Sequence, residues 1–102
     1  LISDVFTLAA GTDISAPDAL KLLEFFNPGT ILQNRGRNMS QGKFAASFEL
    51  VMARKDLRLM LETAGARPLA ALPAIAARMD EVIAQGFGDQ DFGVIARDAL
   101  AE

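Results

Sequence analysis

FELVMARKDLRLMLETA, residues 48–64, is the stretch whose reading decides the fold. Wound at roughly 100° per residue, it sets Leu50, Ala53, Leu57, Leu61 and Ala64 on one stripe. Phe48, Met52, Lys55 and Leu59 then form a second stripe on roughly the opposite side. A helix in a two-layer domain needs one apolar stripe to face its neighbour. This helix has two, and the second carries a lysine. Gly65 is the expected stop.

Helical spacing continues on both sides of this segment. Upstream, Ile2, Val5, Phe6 and Ala9 space an apolar helix over Leu1–Ala10 that has no N-cap and is closed by Gly11. A chain that opens in this way, on Leu1, reads as a piece of a longer protein. Ser15 with Asp18 three residues on, and Pro17 in the first turn, is a capping-box variant. It predicts a helix to about Phe26, with Leu22, Leu23 and Phe26 inward and Asp18, Lys21 and Glu24 outward. Asn27-Pro28-Gly29 ends it, Thr30–Asn38 reads as a short helix, and Met39–Ser47 reads as a loop. Downstream, Arg67–Leu72 is a connector and Pro73 suits a first helical position. Ile75, Met79 and Val82 make a stripe opposite Arg78, Glu81 and Gln85. Gly86–Asp89 is a turn, and Asp91 caps a last helix through Val94, Ile95 and Leu100. The expected fold is all-α, a compact bundle of five or six helices forming one domain over residues 1–102.

Composition removes much chemistry. The 102 residues contain no Cys and no His, which excludes a disulfide scaffold, thiolate chemistry, the usual zinc sites and a Ser-His or Cys-His nucleophile pair. A net charge of −3 argues against nucleic acid as a partner. No apolar run reaches the roughly 18 residues that span a bilayer, so no membrane partner is expected.

Four constellations are candidates for chemistry. Lys55 on its apolar stripe is either a surface lysine whose stem covers apolar area, or a cation aimed into a cleft toward an anionic or carbonyl group. Gly86-Phe87-Gly88-Asp89-Gln90-Asp91-Phe92 is a helix stop followed by an acidic N-cap; its two acids are too few for calcium, and it lacks the third glycine and the preceding strand of a dinucleotide fingerprint. Arg35, Arg37 and Lys43 form a basic stretch that reads as a solvated loop or as a contact to a phosphate or to a partner's carboxylate. Asp80 and Glu81, adjacent on a helix, diverge and make a poor acid/base pair. No metal site is expected.

Phe44-Ala45-Ala46-Ser47-Phe48 followed by Glu49–Leu57 resembles the C-terminal domain of the β-hydroxyacid dehydrogenase family, which includes 3-hydroxyisobutyrate dehydrogenase and is related to 6-phosphogluconate dehydrogenase. The family pattern has a Phe and, seven residues later, Lys-Asp-Leu, as Phe48 and Lys55-Asp56-Leu57 do here; Gly86–Asp91 matches its Gly-x-Gly-Asp-x-Asp turn. The resemblance runs over nearly the whole chain. It implies an all-helical domain that follows an N-terminal Rossmann domain, with NAD or NADP bound mostly by that domain and the active site in the cleft between the two. Lys55 is then the residue that reaches the cofactor from the helical side, with Phe48 and Asp56 near the substrate pocket. The family's general acid/base lysine would precede Leu1, so this chain carries no catalytic residue and binds no cofactor alone. The implied parent is a homo-oligomer that oxidises or reduces a small 3-hydroxy acid or semialdehyde, and the Ala-rich composition with Arg over Lys points to a bacterial, cytoplasmic origin. The alternative is a non-catalytic helical module for protein interaction or dimerisation, in which the second stripe binds another protein or a second copy.

Overall fold

Caps and breakers set most of the helix boundaries in the computed structural model, which describes residues 1–25 and 27–100. The first helix, α1, spans Ile2–Gly11, and the Thr12 hydroxyl donates back to the Ala9 carbonyl at 3.0 Å. The Ser15 hydroxyl accepts the Asp18 N–H at 3.2 Å and starts α2, Ala16–Leu20, which tightens into a 3₁₀ turn over Lys21–Glu24. That tightening corrects the expected inward face. With three residues per turn the apolar stripe rotates away, and Leu22 and Leu23 are 52% and 45% exposed. Phe26, also expected inward, lies outside the described residues.

Helix α3 spans Pro28–Ser40, with Pro28 in its first turn and the Asn27 carboxamide oxygen accepting the Gly29 N–H at 2.9 Å. It is longer at both ends than Thr30–Asn38 and takes in the first residues of the expected loop. Arg35 and Arg37 lie within this helix, and Lys43 follows it. Helix α4 is Leu50–Ala64, α5 is Leu72–Val82 and α6 is a 3₁₀ helix over Phe92–Leu100. Between α5 and α6 a π-helical turn, Ile83–Phe87, breaks at Gly86, whose φ of 97° is open to glycine at no steric cost. Among the described residues the fold is all-α with six helices. The described residues contain one isolated antiparallel bridge, Glu49 to Asp91, and no strand.

The first stripe of α4 is the centre of the core. Leu50, Ala53 and Leu57 are buried against Ala76, Met79 and Val82 of α5 and Val94 of α6. Leu50, Val82 and Val94 are completely buried, each adding about 1.5–3 kcal/mol of hydrophobic stabilisation. Ala64 is buried at the other end of α4, where α1 crosses. A Cβ on Gly11 would fall 2.7 Å from the Thr63 carbonyl oxygen, so glycine sets how closely the two helices approach. Helix α3 leans on α6 and places few side chains inside. The molecule is accordingly long, 42 × 28 × 21 Å, with its apolar centre in the C-terminal half.

The start of α4, which lacks a side-chain cap, is satisfied from elsewhere in the chain. Glu49, the N-cap of α4, is extended and caps nothing. The first N–H groups of α4, on Leu50 and Val51, donate instead to the Gln90 and Gly88 carbonyls at 2.8 and 3.0 Å. The turn after α5 thus caps α4 with its backbone. This placement also corrects the second stripe. Phe48 lies in a bend ahead of the helix, so only Met52, Lys55 and Leu59 of that stripe share a helical face.

Candidate functional site

Lys55 stands on the exposed side of α4. Around it Val51, Met52, Leu59 and Met60 are 40–46% exposed, an apolar strip beside a cation. A shallow depression of about 310 Å³ is lined by Val51, Arg54, Lys55, Arg58 and Asp80. Arg54 is committed to Asp80 through two hydrogen bonds of 2.8 and 3.3 Å. Among the described residues no carboxylate pairs with Lys55 or Arg58. The face therefore combines two uncompensated positive charges with exposed apolar side chains. Chemically it suits an anionic group on a partly apolar body.

Phe48 and Asp56 are not among the residues lining that depression. Asp56 is exposed on α4. Phe48 is held by its backbone: its N–H donates to the Asp91 carboxylate at 3.2 Å and its carbonyl accepts the Phe92 N–H at 2.8 Å. Its ring meets Phe92 edge-on at 5.7 Å and 76°. Asp80 and Glu81 diverge as expected, Asp80 to Arg54 and Glu81 to Arg78.

Asp91 does more than cap α6. It is buried, and its two oxygens take five hydrogen bonds. One oxygen accepts the Ser47 N–H, the Ser47 hydroxyl and the Phe48 N–H at 3.0–3.2 Å. The other accepts the Gly93 N–H at 2.9 Å and the Arg35 guanidinium at 2.7 Å. Burial pushes the carboxyl upward, but the N–H groups of Gly93 and Phe48, the Ser47 hydroxyl and Arg35 together bring it below its ordinary value. A carboxylate so saturated has no lone pair to spare for a proton or a cation, and no cluster of three or more metal-ligating side chains occurs among the described residues. The Arg35 guanidinium carbon also sits over the Phe92 ring, 4.0 Å from its centroid. The reading of the basic stretch as a solvated loop is thus corrected for Arg35: it contacts a carboxylate, and that carboxylate is this chain's own.

Asp4 and Arg78 carry tertiary roles that apolar periodicity does not reveal. The Asp4 carboxylate is buried and accepts the N–H groups of Ala70, Ala71 and Leu72 at 2.6, 2.9 and 2.9 Å. It caps α5 from the far end of the sequence, where Ala71 has no side chain to do so. The available signal was an acid set inside an apolar first turn. Arg78 bridges α5 to α6 through the Ile95 carbonyl at 3.1 and 3.2 Å and Asp98 at 2.9 Å.

No protein-family model and no curated protein matches this chain. No helix of the described residues is long and apolar enough to cross a membrane.

Proposed function

We propose that this chain is the C-terminal helical domain of a cytoplasmic NAD(P)-dependent oxidoreductase acting on a small 3-hydroxy acid or semialdehyde. The observation that carries the reading is the exposed face of α4, where Lys55 and Arg58 have no ion pair among the described residues and are flanked by Val51, Met52, Leu59 and Met60. In this reading the apolar strip packs on a preceding nucleotide-binding domain, and Lys55 presents its ammonium to an anionic or carbonyl oxygen of the dinucleotide. Phe48, rigid on Phe92, and Asp56 border the substrate. The general acid/base comes from the preceding segment and the hydride acceptor or donor is the nicotinamide. This chain's own part is to position, to close the cleft over the reacting groups, and to join copies of the protein.

The test is Lys55→Ala in the protein that includes the preceding segment. Affinity for NADH or NADPH should fall by about tenfold or more, the loss of one charge-assisted contact, with the circular dichroism spectrum unchanged. Equal affinity for both dinucleotides in the variant and the parent would reject the assignment.

A second reading, a non-catalytic interaction module, is favoured by a separate apolar groove. Val5, Leu8, Ile14, Leu22 and Phe25 line about 450 Å³ between α1 and α2. In that reading association is lost on Leu22→Asp, and no nicotinamide dependence exists in the longer protein.

A further inference from the structure

Between α3, the segment leading into α4, and the Asp91 hub lies a pocket of about 260 Å³ that the fold does not fill. Asn34, Arg35 and Asn38 reach it from α3, and Lys43 and Ser47 line it from the connecting segment. Asn34 and Asn38 are one helical turn apart and so share a face. The Lys43 backbone N–H donates to the Asn38 carbonyl at 2.9 Å, which holds the lysine beside that face.

The charge balance is what marks the pocket. Asp91 on its wall is saturated by five donors, and one of them is a single nitrogen of Arg35. The Arg35 guanidinium carbon sits 4.0 Å from the Phe92 ring centroid, while the side chain stays 27% exposed. Its remaining N–H groups have no partner among the described residues. Lys43 has no ion pair among them either. With Arg35 balanced by Asp91, the pocket keeps the positive charge of Lys43, two carboxamides and part of a guanidinium fork. The C-terminal end of α3 is close by and its dipole opposes an anion. That opposition is reduced because the carbonyls of Arg37, Asn38 and Met39 already accept the N–H groups of Gln41, Gly42 and Lys43.

We infer that this pocket binds a small oxyanion, the phosphate or carboxylate group of a small polar molecule, held by Lys43 and the free edge of Arg35 and oriented by the Asn34 and Asn38 amides. It shares no residue with the Lys55 depression and does not depend on the oxidoreductase reading.

The probes are inorganic phosphate and malonate, each titrated into the ¹⁵N-labelled chain against sodium chloride of equal ionic strength. Saturable shifts of the Asn34 and Asn38 side-chain NH₂ signals and of the backbone amides from Lys43 to Ser47 are expected with one probe or both, and which probe saturates tells phosphate from carboxylate. Lys43→Ala, an exposed substitution outside the core, should weaken binding by about tenfold while leaving the rest of the spectrum in place. Shifts that track ionic strength alone, that spread equally to Lys55 and Arg58, or that survive unchanged in Lys43→Ala would overturn the site.

Discussion

Asp91 and Asp4 are the two buried carboxylates of the chain's described residues; Asp91 caps α6 locally and ties Ser47, Phe48 and Arg35 to it, while Asp4 supplies from α1 the cap that the start of α5 lacks. Removing Asp91 strands the N–H groups of Ser47, Phe48 and Gly93 and leaves Arg35 uncompensated over Phe92. Asp91→Ala should therefore cost on the order of 3 kcal/mol, read as a lower urea midpoint at unchanged slope. Asp4→Asn keeps the shape but offers the three N–H groups at the start of α5 only one neutral acceptor. It should lower the melting temperature more than Asp18→Asn, whose exposed pair with Lys21 adds little. Both buried carboxyls are held below the ordinary value of 3.8, burial raising them and hydrogen bonds to the charged form lowering them further. As pH falls, the unfolded chain takes up these protons first. The stability they supply is complete above the ordinary value and is lost as pH drops through and below it. Melting temperature should be flat near neutrality and fall steeply below about pH 4, and the fall should be shallower in Asp91→Asn.

Two glycines control how the helices join. Gly86 breaks the helical run after α5 with a φ of 97°, and that break turns the chain so that the Gly88 and Gln90 carbonyls reach the start of α4. Gly86→Ala should cost about 1–3 kcal/mol for a side chain in the left-handed region. Gly11→Ala places a methyl group 2.7 Å from the Thr63 carbonyl oxygen, and backbone cannot yield as a side-chain tip can. It should push α1 away from α4 and speed hydrogen exchange at Ala70–Leu72, because Asp4 rides on α1. At this level the apolar stripe of α4, the Ser15 cap and the Pro73 start were all legible, since each depends on neighbours within one or two turns. The end of α3 was not, because Asn38–Gln41 contains no glycine or proline to stop it and the helix runs on to Ser40.

The molecule exposes 6742 Å² of surface, about 1,200 Å² more than a monomer of its mass is expected to show. Its radius of gyration is 14.8 Å, against roughly 13 Å for a compact domain of this length. Large apolar side chains are exposed on the outer face of α4 and in the groove between α1 and α2. Surface of this kind tends to be covered. The isolated chain should self-associate as its concentration rises, measured by sedimentation velocity, and Leu59→Asp should shift it toward monomer without changing its helical content. A monomer at all concentrations would show that neither face is sticky enough to need a neighbour.

What the sequence determined by itself is the set of helices and the inner face of α4, because these follow from spacing, caps and breakers acting over a few residues. It also marked Lys55 as a cation on an apolar side, which periodicity alone can place. Only the tertiary structure decided that Phe48 leaves that side, that Arg35 is tied to Asp91, and that Asp4 caps a helix that begins at Leu72. Each of these is a polar contact between residues distant in sequence. A buried carboxylate must find donors somewhere, but no local pattern says which donors the folded chain will bring to it.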